Sequence, residues 1–173
     1  KYNTNTEWLK SLNIKINVNK INKQNFDRTI QLFNKTNQMN LTTRRKNEDQ
    51  LKHEIKQKNN LFFTFSISDS FGNYGLTGIL SLKIRNSEAF LCDFILSCRV
   101  FGREIEHNMI NYAIKKCKTY NIKFIEAKYF KTKKNEVCYN FFKNNFKIKS
   151  KYLFTINTKK NIKTNNIVKI YEK

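Results

Sequence analysis

Alternation of apolar and polar side chains marks the start of the chain. Ile14, Ile16 and Val18 alternate with polar residues, the period of a strand with one buried face. The pattern then lengthens. Phe26, Ile30 and Phe33 share one side of a helix that Asn25 can cap, and the Asn-rich stretch from Asn37 to Leu41 breaks it. Thr42 or Thr43 is placed to cap a second helix, with Leu51 and Ile55 one turn apart. Phe63, Phe65 and Ile67 alternate with Thr64, Ser66 and Ser68 as a strand, and Phe71 to Gly75 (FGNYG) is expected to turn it into another over Leu76 to Arg85. Asn86 and Ser87 turn the chain again into Ala89 to Ser97, nearly all apolar and so expected at the centre of a sheet. After Arg99-Val100-Phe101-Gly102-Arg103-Glu104 comes a helix with Ile105, Met109, Tyr112 and Ala113 on one face, ending at Asn121. Ile122 to Ala127 is a strand, Asn135 starts a helix through Phe142, and Tyr152 to Ile156 and Ile167 to Tyr171 are two closing strands.

The predicted order is β-α-α-β-β-β-α-β-α-β-β, an α/β (α+β) domain with a mixed central sheet of about seven strands and four helices. A three-strand meander feeding a helix through a basic, glycine-containing turn sets a helix N-terminus beside a central strand end. Backbone N–H groups and the helix dipole make such a place suited to an anion.

Composition bounds the rest. The 173 residues suit one domain, and 15 Phe with 8 Tyr supply a core. A formal charge of +21 suggests nucleic acid. The lysines, however, are spread along the whole chain, and a sequence rich in Lys, Asn and Ile with no proline has the stamp of AT-rich coding. The charge therefore argues for attraction to phosphates more than for a nucleic-acid partner. The cysteines Cys92, Cys98, Cys117 and Cys138 form no C-x-x-C pair, which reads against a metal site and for free buried thiols in a reducing, cytoplasmic setting, Cys98 being a small core residue. No apolar run has the length of a membrane span.

Four segments carry a resemblance: Gln31 to Arg45 (QLFNKTNQMNLTTRR), Asp69 to Gly78 (DSFGNYGLTG), Asp93 to Glu106 (DFILSCRVFGREIE) and Tyr129 to Phe146 (YFKTKKNEVCYNFFKNNF). With the element order, they resemble the GNAT acyltransferase fold, and more finely the C-terminal domain of FkbH-like proteins, from about Trp8 to Phe146. The resemblance implies a missing N-terminal HAD-type domain, residues 1–10 being the end of a linker or helix from it, in keeping with a sequence that begins at Lys1. It also implies an acyl carrier protein as partner, loaded with a glyceryl-type unit for polyketide or similar biosynthesis.

The resemblance further implies a site. Arg99 and Gly102 match an Arg/Gln-x-x-Gly-x-Gly/Ala turn that holds the pyrophosphate of acetyl-CoA or acyl-CoA, with Leu96, Cys98, Val100, Phe101, Arg103 and Glu104 around it and pantetheine running along the splayed strand past Cys98. Glu104 stands where the pattern has a small residue. Asn135 matches a cofactor-touching Asn, but the Tyr that such enzymes use as general acid is replaced by Phe141 or Phe142, leaving Tyr139 one turn earlier as its substitute. Asp93 is the carboxylate placed to act as general base, and equally a strand residue to be paired with Lys or Arg. Lys35, Asn37, Gln38, Thr42, Arg44 and Arg45 border the implied acceptor site. Three expectations follow: an acyltransferase, a degenerate module that positions a carrier protein, or, from charge alone, a nucleic-acid binder.

Overall fold

The computed structural model describes residues 4–164 and 168–172. Helix α1 (Asn5–Ser11) is followed by β1 (Lys15–Asn19), α2 (Phe26–Lys35), the two-residue strand β2 (Met39–Asn40) and α3 (Glu48–Lys56). A meander of β3 (Asn60–Asp69), β4 (Gly72–Arg85) and β5 (Glu88–Leu96) leads through a short 3-10 turn (Cys98–Val100) into α4 (Ile105–Thr119). Then come β6 (Phe124–Lys128), α5 (Glu136–Asn145), β7 (Lys147–Ser150), β8 (Leu153–Asn157) and β9 (Lys169–Glu172).

The strands form one sheet in the order β7-β8-β6-β5-β4-β3-β1-β9, with β2 attached to β5 off that path. Alternation decides the two faces. Phe62, Ile79 and Ile95 point toward Leu32, Phe33 and Leu51 of α2 and α3. Phe63, Phe65, Leu80, Phe94 and Leu96 join Leu9, Met109, Ile110 and Phe142 in the larger core on the other face. Gly78 lets α4 approach closely: a Cβ there would lie 3.0 Å from the Met109 sulfur and 3.2 Å from the Phe65 Cβ.

Several expectations are corrected. Nine strands and five helices are found among the described residues, because α1, β2 and β7 add to the predicted set. Neither Thr42 nor Thr43 caps the second helix. The Asn47 side chain does so, accepting from the Gln50 N–H while Gln50 reaches back, a capping box that outcompetes the threonines and starts α3 later. The FGNYG turn is tighter than expected: Asp69 already pairs with Gly72, leaving Ser70 and Phe71 as the connection. Asn86 and Ser87 both adopt positive φ, the two-residue hairpin turn expected of them. Ile167 of the last predicted strand lies outside the described residues; β9 itself pairs in parallel with β1.

Candidate functional site

The parallel strands β5 and β6 pair only from Ala89 to Leu91 against Ile125 to Ala127. Beyond Leu91 the ladder between them ends, and the gap is where the resemblance expects a pantetheine arm. It is filled by the chain itself. In β2, Met39 pairs with Leu96 and Asn40 with Ile95. The Leu41 N–H then donates to the Phe94 carbonyl at 3.0 Å, and the Leu41 carbonyl accepts from the Phe130 N–H at 3.0 Å. Met39, Asn40 and Leu41 are all buried, Leu41 completely.

Asn135 locks this insert. It is fully buried at the start of α5 and turns its amide inward instead of capping the helix. Its Nδ2 donates to the carbonyls of Asn40 (3.0 Å) and Phe130 (2.9 Å), while its Oδ1 accepts from the Tyr129 hydroxyl (2.6 Å) and the Thr132 N–H (2.8 Å). Burial pushes the Tyr129 hydroxyl up to about 12, which keeps it a donor. All the hydrogen-bonding capacity of the Asn135 side chain is thus directed at protein groups.

The other face of the gap carries a charge cluster. Arg44 Nη2 lies 3.0 Å from both oxygens of Asp93, Ser81 donates to Asp93 at 2.6 Å, and the Lys46 ammonium sits 3.6 Å away. Lys46 also pairs with Glu54 and lies 4.9 Å over the Phe33 ring. Asp93 and Lys46 are both buried, so each charge is held by its partners in place of water. Lys46 was not singled out in the sequence, where it is one lysine among many; its only marker there is its place beside the Arg44-Arg45 pair. Asp93 does point away from Phe94, which stacks on Phe141.

The remaining polar residues between α2 and α3 divide. Thr42 donates to the Cys92 carbonyl at 3.4 Å, and Arg45 donates to the Phe33 carbonyl at 2.8 Å and to Asn37. Lys35 and Gln38 face solvent. The six residues expected around an acceptor site therefore mostly fasten the segment that carries β2.

The turn beyond β5 is different. Leu96 and Val100 are buried, but Cys98 and Arg99 are exposed. This corrects the expectation of a core thiol at Cys98: the chain leaves the sheet at Ser97, so the alternation that would bury it has ended. Gly102 is exposed, has φ +76°, and a Cβ there would meet nothing within 4 Å. Glu104, also left-handed at φ 57°, occupies the cap position of α4 and accepts the Asn108 N–H through its carbonyl. Arg103 is drawn back to the β3–β4 hairpin: its Nε lies 3.2 Å from Asp69, Nη2 donates to the Tyr74 hydroxyl, and its guanidinium stacks 4.6 Å over the Tyr74 ring. Phe101 is half-buried against the main core.

In the first turn of α4, burial raises the Glu106 carboxyl above the ordinary carboxylate range, and its Oε2 has no hydrogen-bond partner. His107 lies 3.7 Å from its other oxygen and sets its ring edge-on to Phe141, the centroids 5.1 Å apart. Phe142 is fully buried among Phe94, Phe146 and Phe154, and Tyr139 packs on Phe154 at 5.8 Å. Among the described residues no group of His, Cys, Asp or Glu could hold a metal ion, and no helix is long and apolar enough to cross a membrane.

No family model matches the chain, and no curated protein does. Solved structures do. The PaiA N-acetyltransferase from Thermoplasma acidophilum, in complex with coenzyme A, is similar at TM-score 0.64 and 15% identity, over 82% of this chain and 98% of that one. An acetyltransferase of the GNAT family from Staphylococcus aureus Mu50 is similar at TM-score 0.60 and 16% identity, over 83% and 99%. A point mutant of the spermidine N-acetyltransferase SpeG from Vibrio cholerae is similar at TM-score 0.56 and 15% identity, over 83% and 94%. Together with the mixed sheet split between β5 and β6 and the turn before α4, these similarities establish the architecture: the chain has the GNAT acyltransferase fold.

Proposed function

We propose that this domain serves acyl transfer as a positioning module, not as the site where the acyl group changes hands. The observation that carries the reading is the pairing of Met39 to Leu41 into the gap between β5 and β6. The Leu41 N–H already occupies the Phe94 carbonyl, so that edge of β5 is closed to an arm laid along the strand. Two further features support it. Asp93, the carboxylate available as a base, is enclosed by Arg44, Lys46 and Ser81, and the helix position of the general acid holds buried Phe142 and Phe141. What remains open is the turn with Arg99 and Gly102. In an FkbH-like protein the partner would be an acyl carrier protein, an acidic surface that a chain of +21 attracts.

One observation favours a second reading, an acyltransferase that takes acyl-CoA or an acyl-phosphopantetheine arm once β2 withdraws. The turn keeps an exposed Arg99 and a left-handed Gly102 before α4, and the fold occurs in a protein solved with coenzyme A. Titration with coenzyme A and acetyl-CoA, beside a Gly102→Trp control and an assay for released thiol, separates the two. The positioning reading expects no thiol release with amine or hydroxyl acceptors, and equal affinity for coenzyme A and acetyl-CoA. Turnover abolished by Gly102→Trp would establish the acyltransferase.

A further inference from the structure

At the C-terminal end of β6, where Tyr129 and Thr132 bond Asn135, lies a pocket of about 310 Å³. Its wall is a tyrosine cluster: the Tyr129, Tyr139 and Tyr152 rings pack on one another with centroids 5.3, 5.7 and 6.2 Å apart. Tyr129 commits its hydroxyl to Asn135. The hydroxyls of Tyr139 and Tyr152 make no hydrogen bond among the described residues, so both are available to a guest.

The rim is basic. Lys131, Lys133 and Lys151 stand around it with Glu136 as the single carboxylate. Among the described residues four lysines pair with a glutamate, namely Lys46, Lys52, Lys116 and Lys149. These three make no salt bridge among the described residues, although Lys151 lies 5.5 Å over the Tyr152 ring. Three ammonium groups against one carboxylate leave two positive charges at the mouth. A phosphate monoester carries about −1.5 to −2 near neutrality and offers three acceptor oxygens. The cavity is at the small end of ligand pockets, about 300 Å³, and ring faces suit an apolar or aromatic body.

We propose that this pocket binds a small phosphate monoester, the lysines holding the phosphate, the tyrosine rings its organic body, and the Tyr139 and Tyr152 hydroxyls its polar atoms. The pocket shares Tyr129 and Thr132 with the Asn135 lock, but its proposed ligand does not depend on the positioning role.

Calorimetric titration of the full 173-residue chain tests it with four probes: 4′-phosphopantetheine, phenyl phosphate, pantetheine, which lacks the phosphate, and inorganic phosphate, which lacks the body. Saturable binding is expected for at least one ester, about tenfold or more tighter than either fragment. Lys133→Glu with Lys151→Glu should weaken that ester about tenfold or more, Tyr152→Ala should weaken it, and Tyr152→Phe should weaken it less. Arg99→Glu should leave it unchanged. Phenyl phosphate binding without phosphopantetheine upholds the pocket while counting against an arm-handling role for the domain. Esters no tighter than inorganic phosphate, or an affinity lost in Arg99→Glu and kept in the lysine pair, would overturn the proposal.

Discussion

Two neighbouring regions at the end of β5 have had opposite fates. The gap beside β6 is closed by β2, Leu41 and Asn135, with the Leu41 N–H and the Asn40 and Leu41 carbonyls bonded and the side chains buried. The turn that follows is open, with Arg99 and Gly102 in solvent and a left-handed glycine that costs the chain little. One region is core and the other is an exposed turn leading into a helix. Two neighbouring stretches at one strand end can therefore differ this far in packing, and each region has to be judged on its own contacts.

That contrast can be broken in order of effect. Asp93→Ala should be the most damaging change, because it leaves the buried Lys46 ammonium short of an anion; a loss of about 3–5 kcal/mol is expected in urea unfolding. A loss below about 1 kcal/mol would mean that the cluster is solvated and the insert loosely held. Asn135→Ala should follow at about 2–4 kcal/mol, since it strands the Asn40 and Phe130 carbonyls. Gly78→Val drives a side chain toward Met109 and Phe65 and should cost about 1–3 kcal/mol by thermal melting.

Glu106 gives a pH test of the region between gap and turn. Its folded pKa is raised by burial, so the folded chain holds this proton more tightly than the unfolded one. The stabilisation is full below the ordinary glutamate value and is lost as pH rises through the raised one. Glu106→Gln should remove that loss: between about pH 4 and about pH 8, its melting temperature should fall less, or rise more, than that of the parent chain. Parallel profiles would show that the carboxyl is hydrated. Gly102→Ala is the mildest change, about 1–2 kcal/mol from the left-handed backbone alone, and should leave the protection of the β2 amides untouched.

Much of this was legible in residue pattern. The alternation of β1, the apolar run of β5 and the i, i+4 face of α4 each state their burial directly, and the Asn86-Ser87 turn states its backbone, whereas in β3 both faces are buried from Phe62 to Phe65 and Thr64 does not face water. β2 was not legible. Met39 and Asn40 carry no period, and their ladder is with a strand far along the chain, a tertiary fact that local propensity does not encode. The paired reading of Asp93 was open beforehand, but its partners Lys46 and Arg44 come from a loop whose path depends on β2. Thr42 and Thr43 looked like caps because any Ser, Thr, Asp or Asn does; only the reciprocal bond with Gln50 singles out Asn47. Asn135 was legible as the start of a helix, while its bond to the inserted strand was not.

The most direct measurement is hydrogen exchange at the Leu41 and Phe130 amides, with and without saturating acetyl-CoA. Both bond across the filled gap, and the account predicts slow exchange, near that of the core strands, unchanged by acetyl-CoA. Fast exchange at Leu41, or protection lost when acetyl-CoA is added, would show that β2 yields the gap to an arm and would contradict it.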